Sequence, residues 1–368
     1  MNFIEAINGL VKLSLREIRK KVREIKNELP HDERDIITFS KNYTIPLSNY
    51  CINNCSYCYF NHRMKTQNEI ITLFDLKKIK KLMAKAHQLN CKEALIMSGE
   101  HPDQFQIVKK RLKSRGFKQF FDYLLYICKL LLSKEFLPHT NVGYLSYDKL
   151  EQIKDYNASM GLMLESSLPR LFKKGNVHEE SPGKRPDKRI EFIKNAGKLR
   201  IPFTTGLLLG IGESMIDRIK DLFLIKELND EYEHIQEIII QNFISKPNIR
   251  YNPKTPIAIG DIIKTAGIAK IIVENSIKIQ IPPNLITGYE KQFLKVGIDD
   301  FGGISPFTRD EINPYKPWPE IEHLKKVCKA EGFELKERLP IYDKFIGKKN
   351  FISSQINNLM EFYCNNIS

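Results

Sequence analysis

Apolar runs of strand length alternate with helical patterns along most of the chain. The runs lie at residues 43–49, 93–100, 137–143, 158–167, 201–214 and 234–243, with two further candidates at 277–285 and 296–306. Helical patterns such as "MIDRIKDLFLIKEL" lie between them, and one long helical region is predicted at roughly 104–134. Strands of near-continuous apolar character indicate a parallel sheet whose faces are covered by helices. The pattern therefore predicts an α/β fold built from strand–helix repeats.

The number of repeats matches a TIM-type (βα) barrel, and a doubly wound open sheet is the alternative. Polar or glycine residues stand where the predicted strands end: Ser98, Gly99, Glu100, His139, Thr140, Asn141, Glu165, Ser166, Gln241, Asn242 and Asn284. A barrel gathers the ends of its strands around one mouth, where the active sites of this fold lie. The polar strand ends therefore favour the barrel.

The segment 12–26 has its apolar residues, among them Ile18 and Val22, at helical spacing, and its other positions are mostly basic. We predict an amphipathic helix with a solvated face; an anionic small substrate or an acidic protein partner is the alternative use of its charge. No flexible linker interrupts the chain. The predicted division is an N-terminal helical extension at 1–35, a barrel domain at 36–346 and a tail at 347–368.

The composition is that of a soluble globular protein, with 42 % hydrophobic and 28 % charged residues. The net charge is +14, but the basic residues are spread along the chain, so we expect no nucleic-acid partner. We find no secretory signal, and no apolar stretch approaches the roughly 18 residues that span a bilayer. These features predict a cytoplasmic protein without a membrane partner.

Three of the seven cysteines, Cys51, Cys55 and Cys58, lie close together in "YCINNCSYCYF". The other four are scattered, as small buried residues usually are. With His62, the three thiolates would complete the four ligands of a structural zinc site. A 4Fe–4S cluster is usually held by four cysteines, so that three would leave one iron open to a substrate or cofactor. The ligand types by themselves allow both sites.

The Cys-x3-Cys-x2-Cys spacing, with Tyr57 directly before the third cysteine, resembles the signature of the radical S-adenosylmethionine (radical SAM) enzymes. In that family the three thiolates hold three irons of a 4Fe–4S cluster, and the amino and carboxylate groups of SAM chelate the fourth. The resemblance implies that the cluster loop follows strand one of the barrel. It also implies cleavage of SAM to a 5′-deoxyadenosyl radical, which abstracts a hydrogen from substrate.

Two further motifs fit this resemblance. "SGEHP" resembles the element after strand two that receives the methionine ammonium, which implies roles for Gly99 and Glu100, although Ser precedes them where many members have Gly. "GLLLGIGE" resembles the strand-five element along the adenine, which implies contacts from Gly206, Leu208 and Gly210, with Leu in place of Ile. A helix-capping turn and close strand–helix packing are the structural alternatives.

Other residues near the predicted mouth of the barrel are candidates for cofactor contacts. Glu165 and Ser166 are expected to reach the SAM ribose, and Arg170 the methionine carboxylate, because the planar fork of arginine suits a carboxylate. The polar segment 173–189, broken by Gly and Pro, is a candidate lid over the mouth. Within it, His178 is a candidate proton carrier, since histidine titrates near working pH.

Segments outside these motifs extend the resemblance over residues 36 to 346. They include "ITFSKNYTIPLSN", "HEESPGKRPDKRI" and "GIDDFGGISPFTRDEINPYKPWP", and they resemble the 7,8-didemethyl-8-hydroxy-5-deazariboflavin synthases of the type in which this activity is a separate chain. The resemblance implies a lyase-type ring closure in the biosynthesis of coenzyme factor 420. The implied substrate is the adduct of a tyrosine-derived hydroxybenzyl group with a ribityliminouracil, made by a separate radical SAM partner subunit, and the implied products include ammonia, methionine and 5′-deoxyadenosine.

A site for a ribityl chain and a uracil needs neutral donors and acceptors, because buried charge is costly unless it is paired. Side chains of this kind at predicted strand ends are His139, Asn141, Thr204, Thr205, Gln241, Asn242 and Asn284. A structural hydrogen bond at the barrel rim is the alternative for each. The alternatives for the whole protein are a related radical SAM barrel enzyme with another substrate and a zinc-stabilised nucleic-acid-binding protein.

Overall fold

Nine parallel strands form the sheet of the computed structural model, which describes residues 3–348 and 350–366. The strands are β1 (Ile36–Pro46), β2 (Glu93–Met97), β3 (Leu137–Asn141), β4 (Ser159–Gly161), β5 (Phe203–Leu209), β6 (Ile235–Asn242), β7 (Lys278–Gln280), β8 (Asp300–Ile304) and β9 (Glu334–Arg338). Neighbours in the sheet follow chain order from β2 to β8, and β1 pairs with both β8 and β2. The first eight strands therefore close into a barrel, as predicted.

The ninth strand extends the sheet at the amino-terminal end of the barrel. Residues Ile36–Ser40 of β1 pair with β9, whereas Asn42–Pro46 pair with β2. Strand β9 thus lies beside the lower half of β1, below the start of β2. Its last residue, Arg338, is carried to the bottom of the barrel interior, where it lines the central cavity.

The α-helices between and beyond the strands are α1 (Phe3–Lys12), α2 (Leu15–Asn27), α3 (His31–Arg34), α4 (Leu76–Gln88), α5 (Gln106–Lys113), α6 (Phe120–Leu132), α7 (Tyr147–Ile153), α8 (Pro186–Lys198), α9 (Met215–Tyr232), α10 (Ile259–Val273), α11 (Glu290–Leu294), α12 (Ile321–Ala330) and α13 (Ser354–Asn366). The long helical region predicted at 104–134 is two helices, α5 and α6. The chain breaks between them at Gly116, whose φ of +83° ends a regular helix. No α-helix within the described residues has the length and apolar character of a membrane span.

The predicted N-terminal amphipathic helix is α2, and its apolar face is buried against α10. Ile18 and Val22 are buried, and Gly267 of α10 gives Ile18 its space, because a Cβ built on Gly267 would lie 2.4 Å from Ile18 Cγ2. A capping box between Ser14 and Glu17 begins the helix. The predicted unit boundaries at 35/36 and 346/347 stay predictions.

The C-terminal segment covers the bottom of the barrel with a second apolar cluster. Leu339, Ile341 and Phe345, which follow β9, pack there with Ile356 and Met360 of α13. This cluster also includes residues at the start of β3 and β4. The bottom of the barrel is therefore closed, and the cavity opens only towards the carboxyl ends of the strands within the part of the chain that the structure describes.

Candidate active site

The barrel encloses a cavity of about 350 Å³ that reaches from the cysteine loop down to Arg338. Alternate residues of each strand point inward. On β2 these are Glu93, Leu95 and Met97, and all three line the cavity. The inward positions of β6, Glu237, Ile239 and Gln241, do the same. Both strands therefore place a charged group at the bottom of the cavity and an apolar side chain above it.

The three clustered cysteines line the upper end of this cavity. The backbone N–H of Glu100 donates to Cys51 Sγ at 3.2 Å, and the Ser181 hydroxyl donates to Cys55 Sγ at 3.2 Å. Burial raises the pKa of the Cys51 thiol to about 12, and the charges of Cys55 and Cys58 oppose its ionisation further. The thiols thus stand near one another with donors aimed at sulfur, which suits thiolates bound to a metal cluster.

The segment 173–189 packs directly on the cysteine loop. Backbone hydrogen bonds join Asn54 N to Glu180 O at 2.9 Å and Ser56 N to Val177 O at 3.0 Å. The N–H of Gly183 donates to Asn53 Oδ1 at 2.7 Å. The segment predicted as a lid is therefore a wall that is hydrogen-bonded to the loop.

His178 lies inside this wall, behind Tyr57, and is not among the cavity-lining residues. Its Nε2 and the Tyr57 hydroxyl are 2.9 Å apart. Burial, with the nearby charges of Lys184 and Arg189, lowers the pKa of His178 to about 2. The placement does not support the predicted proton carrier, because a buried neutral imidazole has no access to the cavity. Tyr57 itself does line the cavity.

The turn after β2 is locked against the cysteine loop. The N–H of Gly99 donates to Ser48 O at 2.7 Å, and a Cβ built on Gly99 would lie 2.2 Å from Tyr50 O. The Glu100 carboxylate is buried and lies 3.8 Å from Arg189 Nη2. It therefore stands between the cysteine loop and the wall, lining the cavity.

Glu165 and Lys184 form an ion pair at the same end of the cavity. Glu165 has a φ of +64°, a left-handed conformation that is uncommon outside glycine. The next residue, Ser166, points the other way and donates to Asp221 Oδ2 of α9 at 2.9 Å. Arg170 binds Gly212 O and Asp217 on the exposed side. The structure thus brings Glu165 to the cavity and leaves Ser166 and Arg170 outside it.

The glycines of the β5 motif serve close packing in this structure. A Cβ built on Gly206 would lie 2.2 Å from Ile239 O of β6. Gly210 has a φ of +88°, and its N–H donates to Glu213 at 2.7 Å. Leu208 lines the cavity. Contact of this strand with an adenine stays a prediction.

Five of the seven predicted substrate side chains line the cavity: His139, Asn141, Thr204, Gln241 and Asn242. Thr205 points away from it and accepts a hydrogen bond from Leu164 N at 3.2 Å. Asn284 instead donates to Asp310 Oδ2 at 2.9 Å and to Lys316 O. It therefore holds the loop that contributes Asp310 to the cavity mouth.

The chain is similar to radical SAM proteins along most of its length. Residues 45–225 match the model of the radical SAM superfamily. A 7,8-didemethyl-8-hydroxy-5-deazariboflavin synthase from Methanococcus maripaludis is 46 % identical over 349 residues, covering 94 % of this chain and 95 % of that protein. One from Methanocaldococcus jannaschii is 45 % identical and covers 97 % of each. The chain belongs to the family of 7,8-didemethyl-8-hydroxy-5-deazariboflavin synthases.

Solved structures agree with this family at the level of the fold. The FeFe-hydrogenase maturase from Carboxydothermus hydrogenoformans superposes with a TM-score of 0.74 at 17 % identity, covering 92 % of this chain and 77 % of the other. Methylornithine synthase gives 0.69 at 15 % identity, covering 90 % and 93 %. At these identities, both similarities show the fold alone.

As a member of the radical SAM superfamily, the chain is an enzyme that uses a 4Fe–4S cluster and SAM. Its residues fit the cluster, because the three cysteines line the same end of the cavity and one hydrogen-bond donor points at each of the Cys51 and Cys55 sulfurs. The zinc alternative needed His62. That imidazole stacks on Tyr50, with ring centroids 4.2 Å apart, and does not line the cavity. The geometry therefore favours the cluster over a Cys3His site.

Sequence reasoning missed several cavity residues of this family member. Arg189 and Lys184 lie in the segment predicted only as a lid, and Glu237 lies within the apolar strand β6. A charged residue inside a buried strand was a usable signal for Glu237, since buried charges need a partner. Arg338 offered no such signal, because β9 was not predicted.

Proposed function

We propose that this protein converts the hydroxybenzyl–ribityliminouracil adduct into 7,8-didemethyl-8-hydroxy-5-deazariboflavin, with release of ammonia, methionine and 5′-deoxyadenosine, for coenzyme factor 420. The observation that carries the proposal is identity of 46 % to a synthase of that name over nearly the whole of both chains. The single set of three clustered cysteines supports one radical step on this chain. The proposal therefore includes a separate partner protein that supplies the adduct.

The residues around the cysteines have defined tasks in this reaction. Cys51, Cys55 and Cys58 would hold the cluster, and the hydrogen bonds from Glu100 N and Ser181 Oγ would stabilise their thiolate charge. When bound, the cluster and SAM supply a radical able to abstract a hydrogen from substrate. The wall formed by 173–189 keeps water from that end of the cavity.

The substrate would lie below the cluster, in the middle of the cavity, where the lining side chains are apolar. Apolar contact to aromatic rings would come there from the side chains of Leu95, Leu162, Ile239 and Phe301. Abstraction of one particular hydrogen requires that hydrogen to be held at contact distance from the radical. The closed bottom of the barrel and the apolar side chains above it would provide that restraint.

The test is anaerobic turnover of the adduct with SAM and a strong reductant, followed by mass and fluorescence detection of the deazaflavin. We expect deazaflavin together with methionine and 5′-deoxyadenosine, and none from free tyrosine with the ribitylaminouracil. Cys55→Ala is expected to be inactive, and Cys91→Ala, at a buried cysteine that does not line the cavity, active. Consumption of another metabolite in place of the adduct would replace this function by that of a related radical SAM enzyme.

A further inference from the structure

The bottom of the cavity is a floor of polar side chains contributed by different strands. Arg338 binds Asp300 through Nε, at 2.6 Å from Oδ2, and binds Glu237 through Nη2, at 3.0 Å from Oε2. Glu237 also accepts from Thr204 Oγ1 at 2.8 Å and from Tyr342 OH at 2.9 Å. A hydrogen-bonded network of this kind at the closed end of a pocket is rigid. Polar groups beside it that have no protein partner can bind a ligand above them.

Two groups of the floor are acceptors ready for a ligand. Asn42 Oδ1 is buried and has no hydrogen-bond partner among the described residues. His139 Nδ1 lies 2.7 Å from Ser159 Oγ, and the Ser159 hydrogen is donated to Pro340 O. Nδ1 must therefore carry the proton, which leaves Nε2 as an acceptor on the cavity-lining imidazole. Burial lowers the pKa of His139 to about 4, so the ring stays neutral.

Carboxylates outnumber cations among the described residues of the floor. Glu93 and Glu237 line the cavity and Asp300 lies directly behind them, whereas Arg338 is the cation that the structure places among them. Burial raises the pKa of Glu93 and of Glu237, because negative charge is poorly solvated at this end of the cavity. A ligand with several hydroxyl groups can donate to these acceptors and accept from the guanidinium without adding charge. A phosphate at the same place would meet the carboxylates at close range.

The position of the floor decides which part of a ligand reaches it. Gln241 lies four positions after Glu237 on β6, which is roughly 13 Å of strand. The cysteines stand at the Gln241 end, so the atoms that react must lie there. The part of the substrate that takes no part in the ring closure is left for the floor.

We propose that the floor formed by Asn42, Glu93, His139, Thr204, Glu237 and Arg338 is a polyol subsite that binds the ribityl chain of the substrate and rejects its phosphorylated form. The inference rests on the proposed function and deepens it. The subsite orients the substrate with its ring system at the cluster end, and the extra strand β9 provides the cation Arg338.

The test measures binding of the fluorescent 7,8-didemethyl-8-hydroxy-5-deazariboflavin to the reconstituted protein, beside its 5′-phosphate and an analogue with a methyl group in place of the ribityl chain. We expect the wild type to prefer the full ligand over both others by about tenfold or more, as loss of several hydrogen bonds requires. Asn42→Ala and Glu237→Gln should each weaken the full ligand by about five- to tenfold and leave the methyl analogue unchanged.

Two controls separate this subsite from a structural role. Glu290→Gln changes a buried glutamate on α11, outside the cavity, and is expected to change neither affinity. Asn42→Ala removes an acceptor that no described residue uses, together with one hydrogen bond to the Glu93 side chain, so it is expected to disturb the fold less than Glu237→Gln, which alters a carboxylate bound to Arg338, Thr204 and Tyr342. Iron content and SAM affinity should stay at wild-type values in both floor variants.

Equal weakening of the full ligand and the methyl analogue would overturn the inference, since it would show a general loss of structure. Equal affinity of the wild type for the full ligand and its 5′-phosphate would also overturn it. If the wild type forms deazaflavin from the adduct but binds the methyl analogue as tightly as the full ligand, the subsite is wrong and the proposed function stands. If the adduct is not converted, the proposed function itself fails.

Discussion

Replacement of Gly99 by alanine should displace the cysteine loop and prevent cluster assembly. The backbone of Gly99 has no left-handed φ, so alanine meets no conformational barrier there. The obstacle is space, because the new Cβ would lie 2.2 Å from Tyr50 O, 2.7 Å from Tyr50 C and 2.8 Å from Cys51 Cβ. Two of the three atoms belong to the backbone, and the third belongs to a cluster ligand, so no flexible side chain can turn aside.

The required movement sets the expected size of the effect. Ordinary Cβ contacts begin near 3.4 Å, so the loop and the turn must separate by about 1.2 Å. Overpacking of this kind typically costs about 1–3 kcal/mol. Metal sites tolerate ligand shifts of only about 0.2 Å. The thiol of Cys51 would therefore leave its bonding position even if the barrel tolerated the strain.

The assay is iron and sulfide content after anaerobic reconstitution, together with SAM affinity by titration. We expect Gly99→Ala to bind less than half of the wild-type iron and to lose at least tenfold in SAM affinity. Gly260→Ala, in the first turn of α10 with no atom within 4 Å of the new Cβ, is the matched control and should behave as wild type. Wild-type iron content and SAM affinity in Gly99→Ala would refute the packing argument.

Three further predictions concern other parts of the chain. Replacing Cys51, Cys55 or Cys58 by alanine should abolish cluster iron, whereas Cys128→Ala should retain it; iron analysis decides, and a Cys55→Ala protein with a full cluster would contradict the assignment. Glu213→Ala should lower the free energy of unfolding by about 3–5 kcal/mol in chemical denaturation, because it leaves buried Arg218 without the carboxylate 2.7 Å away; a loss below about 1 kcal/mol would show that the pair is not buried in solution. Burial lowers the pKa of Lys26 to about 8 from 10.5, so the unfolded chain binds more protons between these values. The free energy of unfolding should rise from pH 8 towards pH 10, with Lys26 contributing at most about 3 kcal/mol, and an unchanged slope in Lys26→Met would contradict this account.

The barrel was predictable because its strands are apolar on both faces and end in polar residues. The same property hid which residue of each strand points inward. Thr204 and Thr205 are adjacent in β5, and only Thr204 lines the cavity. A strand buried on both faces shows no alternation of polar and apolar residues, so its phase cannot be determined from the sequence. The register with β6, which pairs Thr204 with Glu237, determines it instead.

Local backbone conformation explains another difference between prediction and structure. Glu165 and Ser166 were expected to act together, but only Glu165, with its left-handed φ, lines the cavity, whereas Ser166 donates to Asp221 on the other side. Strand β9 was missed for a different reason. Its sequence, "ELKER", has one buried apolar residue, Leu335, and its strand conformation comes from pairing with β1. The strand conformation of β9 therefore has no local signal in the sequence.

The two ends of the cavity are built by separate parts of the chain. The cysteine loop is held by the wall 173–189 and by the turn after β2, whereas the floor is held by β9 and the C-terminal cluster beneath it. They lie roughly 13 Å apart along the strands, beyond the 7–10 Å within which substitutions usually couple. One end can therefore preserve the cofactor geometry common to a superfamily, while the other adapts to a particular substrate. Strand β9 lies outside the matched residues 45–225, and it supplies Arg338 at the end where the proposed function requires specificity.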